Sequence, residues 1–291
     1  MINEPPSEKR HPLEAPPAAA APENASAPAP NARRTHPLEA PDTPPRPREG
    51  RRQRLVVAFP MRRADVTYVL IALNITIFVL GLVNRDLRAL MVENGTIMHA
   101  AIFDDGQYYR LFTAMFLHAD LAHLFLNMYA LYIIGRSLEW LFGRERFLLV
   151  YLLGGLGGSA LMALTMGANC YGLGASGAIF AIWGAEMVYL YQNRRTLGTY
   201  AMMQLRQIIM FAALNLVLGL LNPFIGTWAH IGGLLGGLAL TWWLGPRLVT
   251  GTHPDYPDAV ILAGVRFEPA ALPVSAYIIA LVGLLLIGTL R

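Results

Sequence analysis

The chain of 291 residues has a single cysteine, Cys170, so no intrachain disulfide staples it and thiol usage says nothing about a redox compartment. Charge is equally scarce. Only 14% of residues are Asp, Glu, Lys or Arg, well below the roughly one quarter typical of soluble globular proteins. With 55% hydrophobic residues, that scarcity excludes an ordinary soluble domain and points to a membrane protein. The net charge of +4 does not indicate a nucleic-acid partner, because its excess belongs to residues 1–63, which hold eleven basic and seven acidic groups. No metal and no cofactor are expected.

Residues 1–63 also lack the apolar core that a secretory signal needs. Their richness in proline, alanine and arginine predicts a disordered tail. Within it "HPLEAP" occurs twice, at His11 to Pro16 and at His36 to Pro41. The repeat is either a duplicated linker, the reading we favour, or a short docking motif for a cytoplasmic partner.

Long uncharged runs follow. Val66 to Asn84 is long enough for one helix across a hydrocarbon core, which needs roughly 20 residues. A second span is predicted from Leu121 to Phe142, with Arg136 and Glu139 in its last turns reaching for the interface. Residues 147–193 carry one charge, Glu186, and 207–246 carry none. Each run is too long for one helix, so each folds back, at "GANCYGLGA" and at "LNPFIG" around Asn222 and Pro223. After a polar loop over 246–273, residues 274–291 complete seven spans. Of twenty-three basic residues nineteen fall on one side of this arrangement, leaving Arg85, Arg88, Arg110 and Arg291 on the other. The positive-inside rule then puts the amino terminus in the cytoplasm and the carboxyl terminus outside.

This topology sorts the reactive groups by depth. Ser176 opens the fourth span and His230 opens the sixth, both running inwards from the outer face. His123 and Asn127 share one face near the outer end of the second span, being spaced i and i+4. A lone serine among glycines more often bonds a backbone carbonyl or serves packing. Two histidines, an asparagine and a serine at one depth are different, since ionisable groups in a membrane are costly and mark function. They suit a nucleophile with its base, and His118 and Asn169 are further candidates to line the same polar space. Small residues give these helices a way to meet. Gly232, Gly233, Gly236 and Gly237 in the sixth span, and Gly177, Ala181 and Ala185 in the fourth, form faces on which backbones approach closely. Glu186 lies ten residues beyond Ser176, about 15 Å deeper, and Asp120 reads as a loop or capping residue. With no carboxylate to complete a triad, a serine–histidine dyad is expected.

Three motifs in order, "YRLFTAMFLHADLAHLFLNM" at Tyr109 to Met128, "GASG" at Gly174 to Gly177 and "AHIGGLLGG" at Ala229 to Gly237, resemble the rhomboid intramembrane serine proteases. The likeness covers about residues 64–245 and implies an all-α polytopic membrane protein, a six-helix rhomboid core followed by a seventh transmembrane helix. It implies Ser176 as nucleophile, His230 as general base, and His123 with Asn127 as donors to the oxyanion, helped by the amide of Ser176. It further implies substrates that are single-pass transmembrane proteins, entering from membrane lipid and cut near the outer face. Two positions depart from the family pattern: Tyr109-Arg110 stands where Trp-Arg is usual, and Phe180 where tyrosine is common. Phe180, one turn after Ser176, can still stack on His230. The expected location is a bacterial cytoplasmic membrane, with a eukaryotic Golgi or plasma membrane as the alternative.

Two rival classes remain at this point. A non-catalytic client-binding protein on the same scaffold is disfavoured by the intact Ser176 and His230. A transporter would need matched repeats in its two halves, and no such repeat is visible.

Overall fold

The computed structural model describes residues 63–167, 170–222, 225–252 and 260–290. The tail of residues 1–62 with both HPLEAP repeats, Asn169 and Pro223 lie outside the described residues. The order is α1 (Asp65–Val83), α2 (Arg85–Gly95), α3 (His99–Phe103), α4 (Arg110–Thr113), α5 (Leu121–Ala130), α6 (Arg136–Phe142) and α7 (Arg144–Thr165). Then come α8 (Ser176–Gln192), α9 (Arg194–Leu197), α10 (Thr199–Leu221), α11 (Thr227–Leu244), β1 (Arg247–Thr252), β2 (Val260–Arg266) and α12 (Ala271–Thr289).

Helices dominate because lipid offers no partner for a backbone amide, so each run must satisfy its own. Among the described residues α1, α7, α10 and α12 are long and apolar enough to cross a membrane. A fifth span results if Arg110–Phe116 and Leu121–Phe142, bent by 92°, are taken together. The chain is therefore a polytopic helical membrane protein. Fewer helices meet the criterion than the seven spans expected, and the two that do not, α8 and α11, explain why. Helix α8 has only 17 residues, and α11 dilutes its apolar character with four glycines, two threonines and a histidine. Both sit inside the bundle against α7 and each other, where neighbouring helices take the place of lipid.

That central packing is set by glycine. A Cβ on Gly233 would stand 1.9 Å from the Gly177 carbonyl oxygen, and one on Gly237 1.9 Å from that of Ala181. On the other side, a Cβ on Gly158 would meet the Ala229 oxygen at 2.5 Å and one on Gly154 the Ala181 Cβ at 2.3 Å. No side chain fits at these crossings, so backbone touches backbone.

Leu121–Phe142 is continuous helix, with a π-helical turn over Leu131–Gly135 joining α5 to α6. Gly135 in that turn lies against Thr67. Glu139 does not reach the interface as expected. It is 1% exposed and accepts from the amides of Val66 (2.9 Å) and Thr67 (2.7 Å) and from the Thr67 hydroxyl (2.7 Å). A carboxylate on the free amides at a helix start is favoured by both hydrogen bonding and the helix dipole. Glu139 thus caps α1, although 72 positions separate it from Thr67.

The loop expected over 246–273 is also corrected in part, since a two-stranded ribbon forms within it while the chain remains mostly helical. Antiparallel strands β1 and β2 pair there, from Arg247 with Arg266 to Thr252 with Val260, with an irregularity between Val249 and Thr250. β-Branched residues in both strands favour an extended ribbon over a loop. Asn193 moors it, donating to the Pro246 carbonyl (2.9 Å) and accepting from the Leu248 amide (2.8 Å). Arg146 closes its base by donating to the carbonyls of Leu244 (3.0 Å) and Glu268 (2.9 Å). Helix α12 docks through Tyr277, whose hydroxyl donates to the Leu153 carbonyl at 3.2 Å beside Gly157 and Gly236.

Two outcomes follow. Gly237→Val should cost at least about 3 kcal/mol through overpacking against backbone, whereas Gly283→Ala, where an added Cβ meets nothing within 4 Å, should stay within about 0.5 kcal/mol; thermal unfolding in detergent separates them. Glu139→Ala should cost about 3 kcal/mol by stranding the buried amides of Val66 and Thr67, read by unfolding and by faster amide exchange in the first turn of α1.

Candidate active site

Ser176 is the first residue of α8 and follows a tight loop. Gly174 in that loop has φ 126°, a conformation that side chains rarely adopt. Its amide donates to the Ala114 carbonyl at 2.8 Å, which fastens the loop to the short helical segment before α5. The first bond within α8 runs from the Ile179 amide to the Ala175 carbonyl at 3.0 Å. The amides of Ser176, Gly177 and Ala178 therefore precede the helical ladder.

The α8–α11 crossing carries His230 to this loop. Its Nε2 lies 2.9 Å from Ser176 Oγ. The imidazole is buried and stacks on Phe180, with ring centroids 4.2 Å apart and planes within 6°. Among the described residues no group bonds its Nδ1, so no carboxylate stands behind it. The ring is positioned by packing.

His123 and Asn127 reach the same place from α5. A Cβ on Gly174 would lie 2.8 Å from both Cε1 and Nε2 of His123 and 3.9 Å from Ser176 Oγ. Gly174 is thus excluded from carrying a side chain twice over, by its φ and by the imidazole. Asn127 is buried and donates one amide hydrogen to the His123 carbonyl at 3.0 Å, leaving its second. Asp120 caps α5, accepting from the His123 amide at 2.8 Å. His118, buried with neither ring nitrogen bonded among the described residues, sits edge-on to His123 at 5.1 Å between ring centroids.

Two residues of this region carry roles that pattern reading missed. Gly174 stands in the "GASG" motif, but neither its positive φ nor its approach to His123 is written in the sequence. Arg110 was noted for its family position, yet it is 4% exposed and holds the preceding connection together. Its Nε donates to Gln107 Oε1 (2.6 Å) and its Nη1 to the carbonyls of Glu93 (2.7 Å) and Thr96 (3.2 Å). A guanidinium at the end of α2 satisfies carbonyls the helix leaves free. The neighbouring Tyr109 is half exposed.

Fold and site together define an integral membrane protein with a serine–histidine pair at one end of its central helices. The comparisons with known proteins agree on what that is. The Rhomboid domain family matches residues 105–247. The rhomboid protein YdcA of Bacillus subtilis is 31% identical over 138 residues, which cover 47% of this chain and 68% of YdcA. Rhomboid protease GluP of the same species is 35% identical over 195 residues, 65% of this chain and 36% of GluP. RHOMBOID-like protein 6, mitochondrial, of Arabidopsis thaliana is 39% identical over 146 residues, 50% of this chain and 47% of that protein. The chain belongs to the rhomboid family, and it spans less than half the length of the last two relatives.

Arg110→Ala should lose about 3 kcal/mol by removing charge-assisted bonds to buried carbonyls. Amide exchange should accelerate over residues 85–96 while the exchange of α8 and α11 stays near that of the unsubstituted chain.

Proposed function

We propose that this chain is an intramembrane serine endopeptidase that cleaves transmembrane segments of other proteins with a Ser176–His230 dyad. The observation that carries the reading is the 2.9 Å approach of His230 Nε2 to Ser176 Oγ. A serine hydroxyl is a weak nucleophile until a base takes its proton, and a neutral imidazole suits that exchange. As Oγ attacks the peptide carbonyl carbon, its proton moves to Nε2. The carbonyl oxygen becomes an oxyanion facing the free amide hydrogen of Asn127, His123 Nε2–H and the Ser176 amide. Collapse breaks the carbon–nitrogen bond, His230 hands its proton to the departing amine, and water, activated by the same imidazole, then hydrolyses the acyl-enzyme. Phe180 holds the imidazole flat through this exchange by stacking on its face, whereas a triad orients the ring with a carboxylate at Nδ1.

Six spans form the core, with α8 and α11 as the interior pair, and α12 is a seventh. The amino terminus lies in the cytoplasm, as nineteen basic residues on one side support, and the dyad lies near the outer face. The membrane is the bacterial cytoplasmic one, with a eukaryotic Golgi or plasma membrane as the alternative. The HPLEAP repeats offer a site for a cytoplasmic partner.

Reconstitution with a panel of single-pass substrates tests this. Ser176→Ala and His230→Ala should abolish cleavage, and Asn127→Ala should lower it on the order of 100-fold to 1,000-fold, the effect of losing one oxyanion donor. A fluorophosphonate probe should label the unsubstituted chain at Ser176 and leave Ser176→Ala unlabelled. Equal cleavage by the original chain and Ser176→Ala overturns the assignment.

A further inference from the structure

At the end of the helices opposite Ser176 lies a cavity of about 820 Å³, bounded by α1, the α5–α6 helix, α8 and α10. Its lining carries two charged groups, Glu186 and Arg136, that form no ion pair among the described residues. Glu186, on α8, is half-buried, and no hydrogen bond or ion pair reaches it from the described residues. Arg136, at the start of α6, lies over the rings of Tyr132 and Tyr68, its Cζ 4.7 Å and 5.8 Å from their centroids, and likewise meets no hydrogen-bond acceptor among the described residues. Of the other charged lining residues, Asp65 is paired with Arg144, and Arg63, exposed, is a second cation that can face the phosphate.

Depth says what kind of molecule fits. Glu186 precedes the end of α8 by six residues and Arg136 precedes the end of α6 by six, so each lies about 9 Å in from that end. Phe142, the last residue of α6, touches Tyr189, three residues before the end of α8, edge-on at 6.3 Å, so Glu186 stands about 4.5 Å nearer that end of the bundle than Arg136. With the helix ends at the water boundary, an interfacial layer of about 5–8 Å in each leaflet brings both side chains within reach of lipid headgroups.

A partly buried carboxylate with no partner costs free energy unless a cation joins it. An arginine held on aromatic faces keeps its N–H fork free for a phosphate. We propose that the cavity binds the headgroup of an aminophospholipid, phosphatidylethanolamine, with the phosphate on Arg136 and the ammonium on Glu186. Tyr200, exposed at the mouth, and Tyr68 offer ring faces to the same cation. A choline headgroup has the charge but no N–H to donate to Glu186, and a glycerol headgroup has no cation. This site is independent of the dyad, and its test needs no cleavage.

The experiment uses the delipidated full chain in detergent, titrated with phosphatidylethanolamine, phosphatidylcholine or phosphatidylglycerol of matched acyl chains, with bound lipid counted by native mass spectrometry. Phosphatidylethanolamine should bind at least about tenfold tighter than either competitor, the effect of one charge-assisted hydrogen bond. Glu186→Gln should erase that preference while leaving phosphatidylcholine binding unchanged, and Arg136→Gln, at an exposed position, should weaken all three lipids together. Soluble phosphoethanolamine at millimolar concentration should displace the bound lipid. Equal binding of the three lipids by the original chain overturns the proposal. So does an undiminished preference in Glu186→Gln, or phosphatidylglycerol binding as tightly as phosphatidylethanolamine. Should Glu186→Gln fail to fold, Tyr200→Ala with Arg136→Gln supplies the decision: an unchanged preference and affinity in both overturns it equally.

Discussion

The contact of α8 with α11 through bare backbone is the constraint on which the rest depends. With glycine at 233 and 237, the carbonyls of Gly177 and Ala181 come close enough that no side chain could intervene. Lipid supplies no hydrophobic drive for helices to associate, so close packing has to do it. The same approach brings Ser176 and His230 to hydrogen-bonding distance. Shifting either helix outward by the width of a methyl group would break that bond.

Around this pair the molecule uses polar side chains where backbone would otherwise be stranded. Glu139 meets the opening amides of α1, Arg110 the closing carbonyls of α2, and Asn193 and Arg146 hold the β-ribbon to the ends of α8 and α11. Each side chain lies at a place where a helix begins or ends. The polar side chains spared from lipid thereby serve to fix helix ends.

Much of this was legible along the chain because membranes simplify the reading. The uncharged runs locate the long helices. A helical period then puts Phe180 one turn below Ser176, and the glycine stripes of the fourth and sixth spans face each other because both are spaced by four. The illegible parts share one trait. Glu139 reads as an interfacial charge because nothing nearby in sequence needs it; its partners are 72 and 73 positions away. The ribbon over 247–266 reads as a polar loop because prolines and aspartates outweigh the β-branched residues in its strands.

The sequence by itself determined where the long apolar helices run and which site residues are candidates to meet, since hydropathy and helical period are local properties of the chain. For a carboxylate third member it offered only Asp120, which reads as a cap, and Glu186, which lies too deep. Tertiary structure alone decided the separation of Ser176 from His230, the stacking of Phe180, the conformation forced on Gly174, and the partners of Glu139, Arg110 and Arg136. Those depend on how rigid helices lean on one another, and a lean of a few degrees moves a side chain by more than the length of a hydrogen bond.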